Sequence, residues 1–140
     1  MSTVPPPPES ALAHPVKGLF PAARYACYEE VPLARKRIDL IFLELELQQT
    51  ISVELKISDW KRALWQAVVN FQVSNESYIA IWHEYVHRAT KQRSLLSSYG
   101  VGLIAVDSRQ AAIVIPSNEP PRQIPRSRKR QWYHHLLQAH

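Results

Sequence analysis

Short apolar runs separated by polar stretches divide this chain into segments, and the period within each run predicts its element. The opening MSTVPPPPES is proline-rich and polar, so residues 1–10 are expected to be extended and disordered. Apolar residues then recur at Leu12, Val16, Leu19, Phe20 and Ala23. That spacing predicts an amphipathic helix between Ala11 and Tyr25, with Pro15 and Pro21 near its start or in a break. YACYEEV, from Tyr25 to Val31, reads as a strand, and RIDLIFLELE, from Arg37 to Glu46, as a longer one rich in Ile, Leu and Phe. Gln48-Gln49-Thr50 supplies a turn before ISVELKI begins a third strand, which is expected to form a hairpin with the second.

Ser58 and Asp59 then offer N-cap oxygens to WKRALWQAVVNFQ, whose apolar residues Trp60, Ala63, Leu64, Ala67, Val68 and Phe71 have helical spacing. SYIAIW, Ser77 to Trp82, reads as a buried strand, and Glu84 to Ser97 as a helix. VGLIAVD and QAAIVIP form a second hairpin that turns at Asp107 to Arg109. This order predicts an α/β layered domain with a central mixed sheet over residues 11–116, followed by a basic tail with a short helix over 117–140.

Length and composition narrow the possibilities. A chain of 140 residues is long enough to bury one core without disulfides, and its single cysteine, Cys27, has no internal partner. The start shows neither a basic n-region nor an apolar h-region, so an intracellular location, cytoplasmic by default, is the expectation. VGLIAV and AAIVI fall far short of the roughly 20 residues of a membrane-spanning helix. The formal charge of +5 divides into +1 over residues 1–115 and +4 over 116–140. Arg126, Arg128, Lys129 and Arg130, beside Trp132 and Tyr133, can neutralise phosphates while the rings stack on bases. A solvated tail with a docking helix accounts for them equally well.

The charged residues of two strands carry the chemistry. Strand periodicity sets Glu54 and Lys56 on one face, while Asp39 lies among Ile38, Leu40, Ile41, Phe42 and Leu43, where an unpaired carboxylate is expensive. Two neighbouring carboxylates raise one another's pKa unless a divalent cation lies between them. Mg²⁺ needs one or two carboxylates plus waters and phosphate oxygens, so Asp39, Glu54 and the Leu55 carbonyl would suffice. A lysine at that position, Lys56, orients or deprotonates an attacking water and offsets charge building on the phosphorus oxygens. On its own, E-x-K is more often an exposed charged face; the buried setting of Asp39 favours chemistry.

Asp39 and Glu54-x-Lys56, on consecutive strands followed by a helix bearing Gln66, resemble the PD-(D/E)XK nuclease superfamily over roughly Leu12 to Pro116. The resemblance implies a restriction-endonuclease-like fold and a Mg²⁺-dependent nuclease, with Mn²⁺ able to substitute and DNA the expected substrate. It implies that Asp39 and Glu54 bind the metal, Lys56 activates water, and Gln66 positions phosphate or water. Glu30, with Glu29 as a rival, matches the additional acidic residue of that family. The family's eponymous proline is absent, since Ile38 precedes Asp39. A member that binds nucleic acid or a protein partner without cleaving is the alternative within the same fold. Lys61 and Arg62 can contact DNA phosphates or form a solvated helix face. Cutting both strands of a duplex with so small a domain would favour a homodimer.

A competing pattern lies downstream. His83-Glu84-Tyr85-Val86-His87 is H-E-x-x-H, which on a helix presents two imidazoles to Zn²⁺ and a glutamate as general base, the arrangement of a zinc metallopeptidase. Arg88 and the lack of an H-x-x-G-x-x-H extension leave the third ligand without a motif, so chance is the favoured explanation.

Overall fold

The computed structural model describes residues 5–118 of the chain. The basic tail with Arg126, Arg128, Lys129 and Arg130 therefore lies outside the described residues. A 3₁₀ turn (Glu9–Leu12) leads into a short helix α1 (Ala13–Lys17), then β1 (Tyr25–Leu33), β2 (Lys36–Glu44), β3 (Thr50–Lys56) and α2 (Trp60–Asn70). β4 (Glu76–Trp82), two short helices α3 (Val86–Thr90) and α4 (Arg93–Ser98), β5 (Gly102–Val106) and β6 (Ala111–Ile115) follow. The strands lie in sequence order in one six-stranded sheet. β1, β2 and β3 are antiparallel neighbours, β3–β4 and β4–β5 are parallel, and β6 returns antiparallel to β5. The result is an α/β fold with a mixed sheet flanked by helices.

Alternation along β4 shows how the sheet fills both layers. Tyr78, Ala80 and Trp82 face Leu12, Val16 and Phe20 of the amino-terminal segment, where the Phe20 ring stacks on Phe42 with 4.4 Å between centroids. Ile79 and Ile81 face Ala63, Leu64 and Ala67 of α2. Each fully buried Leu or Ile contributes about 1.5–3 kcal/mol, so α2 is held mainly by its apolar stripe. Its start is fixed by Asp59, whose Oδ1 accepts the Arg62 N–H at 3.1 Å, as the sequence leads one to expect. The turn between β5 and β6 likewise follows expectation: Asp107 Oδ1 accepts the N–H groups of Arg109 and Gln110, both at 2.8 Å.

Three expectations need correction. The segment before Ala11 is partly ordered, because Glu9–Leu12 forms a 3₁₀ turn whose Leu12 is buried in the core. The first helix is five residues long, not fifteen; Pro15 is tolerated in its first turn, but the chain turns at Gly18 and Pro21 blocks further extension. The expected helix over Glu84–Ser97 is two helices, since Arg88 to Ser94 offers only Ala89 as a buried anchor and no other apolar side chain of its own to hold the intervening turn against the sheet. At the carboxyl end, Ser117 Oγ accepts from the Ser77 N–H and donates to the Gly100 carbonyl, so the packed domain runs to residue 118.

Candidate active site

The sheet forks where the acidic residues lie. Pairing between β2 and β3 runs from Leu43–Thr50 to Leu40–Val53 and stops there. Beyond that point β2 continues with β1 as far as Leu33–Lys36, while β3 continues with β4 as far as Lys56–Ile81. One step past the last pair, Asp39 stands across from Glu54. Asp39 Oδ2 spans the opening and accepts the Leu55 N–H at 2.8 Å. Leu55 thus meets Asp39 through its amide hydrogen.

Glu54 lies beneath α2 and is 1% exposed. Its Oε2 accepts hydrogen bonds from Asn70 Nδ2 at 2.7 Å and from the Lys36 ammonium at 3.1 Å. Lys36 also donates to Asn70 Oδ1 at 2.7 Å, which closes a three-membered network. Neither Lys36 nor Asn70 is marked by a local motif. The signal for Asn70 is a polar residue on the buried stripe of α2, one turn after Gln66. Lys36 is legible only once β2 is known to extend past the fork.

Both acids hold their protons more tightly than ordinary carboxyls. For Asp39 burial is the main cause, offset by the Leu55 N–H, with Glu30 and Glu9 raising its pKa further and Lys56 opposing them. For Glu54 burial again dominates, the Asn70 hydrogen bond opposes it, and the Asp39 charge adds to it. Lys56 is partly buried, and its ammonium meets Glu9 Oε1 at 3.3 Å. Glu9 is a site neighbour that the sequence reading missed, because it falls in the segment expected to be disordered.

Gln66 is half-buried on α2, and its Oε1 is a buried acceptor with no donor among the described residues. A buried acceptor in that state calls for a ligand or water. Glu30 is exposed at φ 53°, and the register that pairs Glu29 with Leu40 and Val31 with Ile38 places it opposite Asp39. Its rival Glu29 is taken up in an ion pair with Lys17 at 2.8 Å. Lys61 and Arg62 are exposed on the first turn of α2.

Asp39 and Glu54 are the residues that could hold a divalent cation. The two carboxylates lie across the fork from each other with their pKa values raised, and Mg²⁺ bound there would take its other ligands from water and phosphate oxygens. Among the described residues no group of three or more His, Cys, Asp or Glu converges as a metal site; the residues that would hold a cation are Asp39 and Glu54, with the Leu55 carbonyl.

The H-E-x-x-H segment is not brought together in the same way. His83, Glu84 and Tyr85 form a turn after β4, and the helix begins only at Val86. His83 and His87 are both exposed, and the single helix that the zinc arrangement needs is not present. His83 and Glu84 instead line a pocket of about 520 Å³ with Trp82, Asp107 and Pro7, at the carboxyl ends of β4 and β5.

No family model matches the chain, and no curated protein matches it. Its structure is similar to that of a protein of unknown function from Silicibacter pomeroyi, with a TM-score of 0.64 and 23% sequence identity over 97% of this chain and 90% of that one. The likeness extends to the fold alone. Among the described residues no helix is long and apolar enough to cross a membrane.

Proposed function

We propose that the fork in the sheet is the active site of a Mg²⁺-dependent nuclease with a restriction-endonuclease-like fold, which hydrolyses phosphodiester bonds in DNA. The observation that carries this reading is the juxtaposition of Asp39 and Glu54, both partly or fully buried and both with raised pKa, beside the half-buried Lys56. Structural acids are usually placed where burial and like charge do not compound one another; functional sites tolerate that cost.

Asp39 and Glu54 would hold the cation, Mn²⁺ serving in place of Mg²⁺, and the cation would supply charge neutralisation at the phosphoryl oxygens. Lys56 orients the attacking water and offsets the charge that builds on phosphorus. Gln66 offers its Oε1, which has no donor among the described residues, to that water or its neighbour. Asn70 and Lys36 fix the Glu54 carboxylate by its Oε2, leaving Oε1 for the cation. Lys61 and Arg62 extend from the same helix toward the backbone of the substrate.

A second reading has one observation in its favour. Lys36 already gives Glu54 a counter-cation, which is the state expected of a domain that binds nucleic acid without cleaving it. An assay on duplex, branched and single-stranded DNA with Mg²⁺, Mn²⁺ or EDTA, run beside Lys56→Ala, separates the two. Metal-dependent cleavage lost in Lys56→Ala supports the nuclease; DNA binding with no cleavage of any substrate supports the second reading.

A further inference from the structure

The hairpin formed by β1 and β2 continues past the fork as a two-stranded ribbon, since among the described residues Val31–Leu33 and Lys36–Ile38 pair only with one another. Its base is anchored: Val31 and Ile38 are buried against Ile41 and Val73. Its tip carries three consecutive cations, Arg35, Lys36 and Arg37. Two non-glycine residues in the ribbon have left-handed backbone, Glu30 at φ 53° and Ala34 at φ 52°, the second in the turn itself.

The three cations have different tasks. Lys36 points back into the protein and is committed to Glu54 and Asn70. That bond ties the ribbon to the fork and sets the tip one lysine side chain away from Glu54. Arg35 and Arg37 are exposed. Arg37 donates to the Glu30 carbonyl at 3.2 Å, and Arg35 makes no ion pair among the described residues. At about 3.3 Å per residue, Arg37 lies about 7 Å along β2 from Asp39, and Arg35 sits beyond the strand in the turn. With the length of an arginine side chain added, the tip reaches from the fork across a span on the scale of a B-DNA groove, about 6 to 12 Å.

We propose that the ribbon tip is a backbone clamp for duplex DNA, in which Arg35 and Arg37 take phosphates across a groove from the one held at the fork. The proposal rests on reading the fork as the phosphodiester site, and it names the substrate class as duplex. Base identity plays no part in it, because an arginine on a phosphate positions a duplex without reading its sequence.

The test measures binding without cleavage. Anisotropy of a short fluorescent duplex is followed against salt, in EDTA, for the wild type, the Arg35→Ala/Arg37→Ala double variant and the Arg35→Lys/Arg37→Lys double variant. Loss of two phosphate contacts lowers the log–log salt slope by about 1.8 and weakens binding at least about ten-fold near 50 mM salt. The lysine variant keeps the slope, since a point charge suffices for a phosphate. Because Arg37 also bonds to Glu30, Arg35→Glu serves as a variant that breaks no internal bond. It should weaken binding while the melting temperature stays at the wild-type value. An unchanged slope in the alanine and glutamate variants, absence of duplex binding by the wild type, or an equal slope change on single-stranded DNA overturns the clamp. Arginine-dependent duplex binding in a wild type that cleaves nothing would support the clamp while removing the nuclease reading.

Discussion

Two regions of this chain have residues whose spacing suggests a metal site, and the fold treats them differently. Asp39 and Glu54 are fifteen residues apart in sequence, yet the β2–β3 register makes them neighbours across the fork. His83 and His87 are four apart and match a known zinc pattern, yet a turn and a helix boundary come between them, and both are exposed. Spacing in sequence therefore says little until the element that carries it is known. A motif defined on a helix needs the whole helix, whereas a pair defined on a sheet needs only the register.

The largest expected effect falls on turnover. Lys56→Ala should lower kcat by about 10²–10⁴, the usual share of a positioned proton-handling or water-orienting group, while metal and DNA binding persist. Full activity in that variant would take Lys56 out of the mechanism. Glu54→Ala comes next, because it strands Lys36 and Asn70 beneath α2; denaturant unfolding should show a loss of about 3 kcal/mol. His83→Ala, on the other side of the comparison, should change stability by no more than about 0.5 kcal/mol. Equal losses at the two positions would erase the contrast between a built site and a chance match.

A smaller effect concerns pH. Asp39 and Glu54 have folded-state pKa values above those of the unfolded chain. Their protonated forms therefore favour folding: the stabilisation is complete below the ordinary carboxyl range, about pH 4, and is lost as pH rises through the folded values. Metal-free protein should accordingly gain less stability between acid and neutral pH than Asp39→Asn does, and the variant should be as stable as the wild type, or more so, at neutral pH. A large loss of metal-free stability in Asp39→Asn would mark Asp39 as a structural cap on the Leu55 N–H. The smallest effect is expected of Glu84→Gln, which should leave cleavage unchanged; abolished activity with stoichiometric zinc would restore the peptidase alternative.

Much of the sheet was legible because its signals are local. Asp59 announces α2, Asp107 announces the β5–β6 turn, and the apolar runs of β2 and β4 allow few other assignments. The parallel placement of β3, β4 and β5 is set by packing on both faces, which no single run displays. Within the site, Asp39, Glu54 and Lys56 stood out as charges in apolar surroundings. Lys36 did not, because a lysine among Arg35 and Arg37 reads as a solvated turn until its ammonium is found 2.7 Å from Asn70 Oδ1. Glu9 was hidden for a different reason: a proline-rich opening looks disordered, and only the burial of Leu12 reveals that the segment docks and brings Glu9 to Lys56.

The claim that the fork binds a divalent cation is tested most directly by calorimetric titration of Mg²⁺ and Mn²⁺ into the wild type and into Glu54→Gln, a change that keeps the side-chain volume and an acceptor for Asn70. The account predicts one saturable site in the wild type, tighter as pH rises because the ligands must lose their protons, and its loss in Glu54→Gln with the fold intact. Binding that is unaffected by the substitution, or no binding by the wild type, would contradict it.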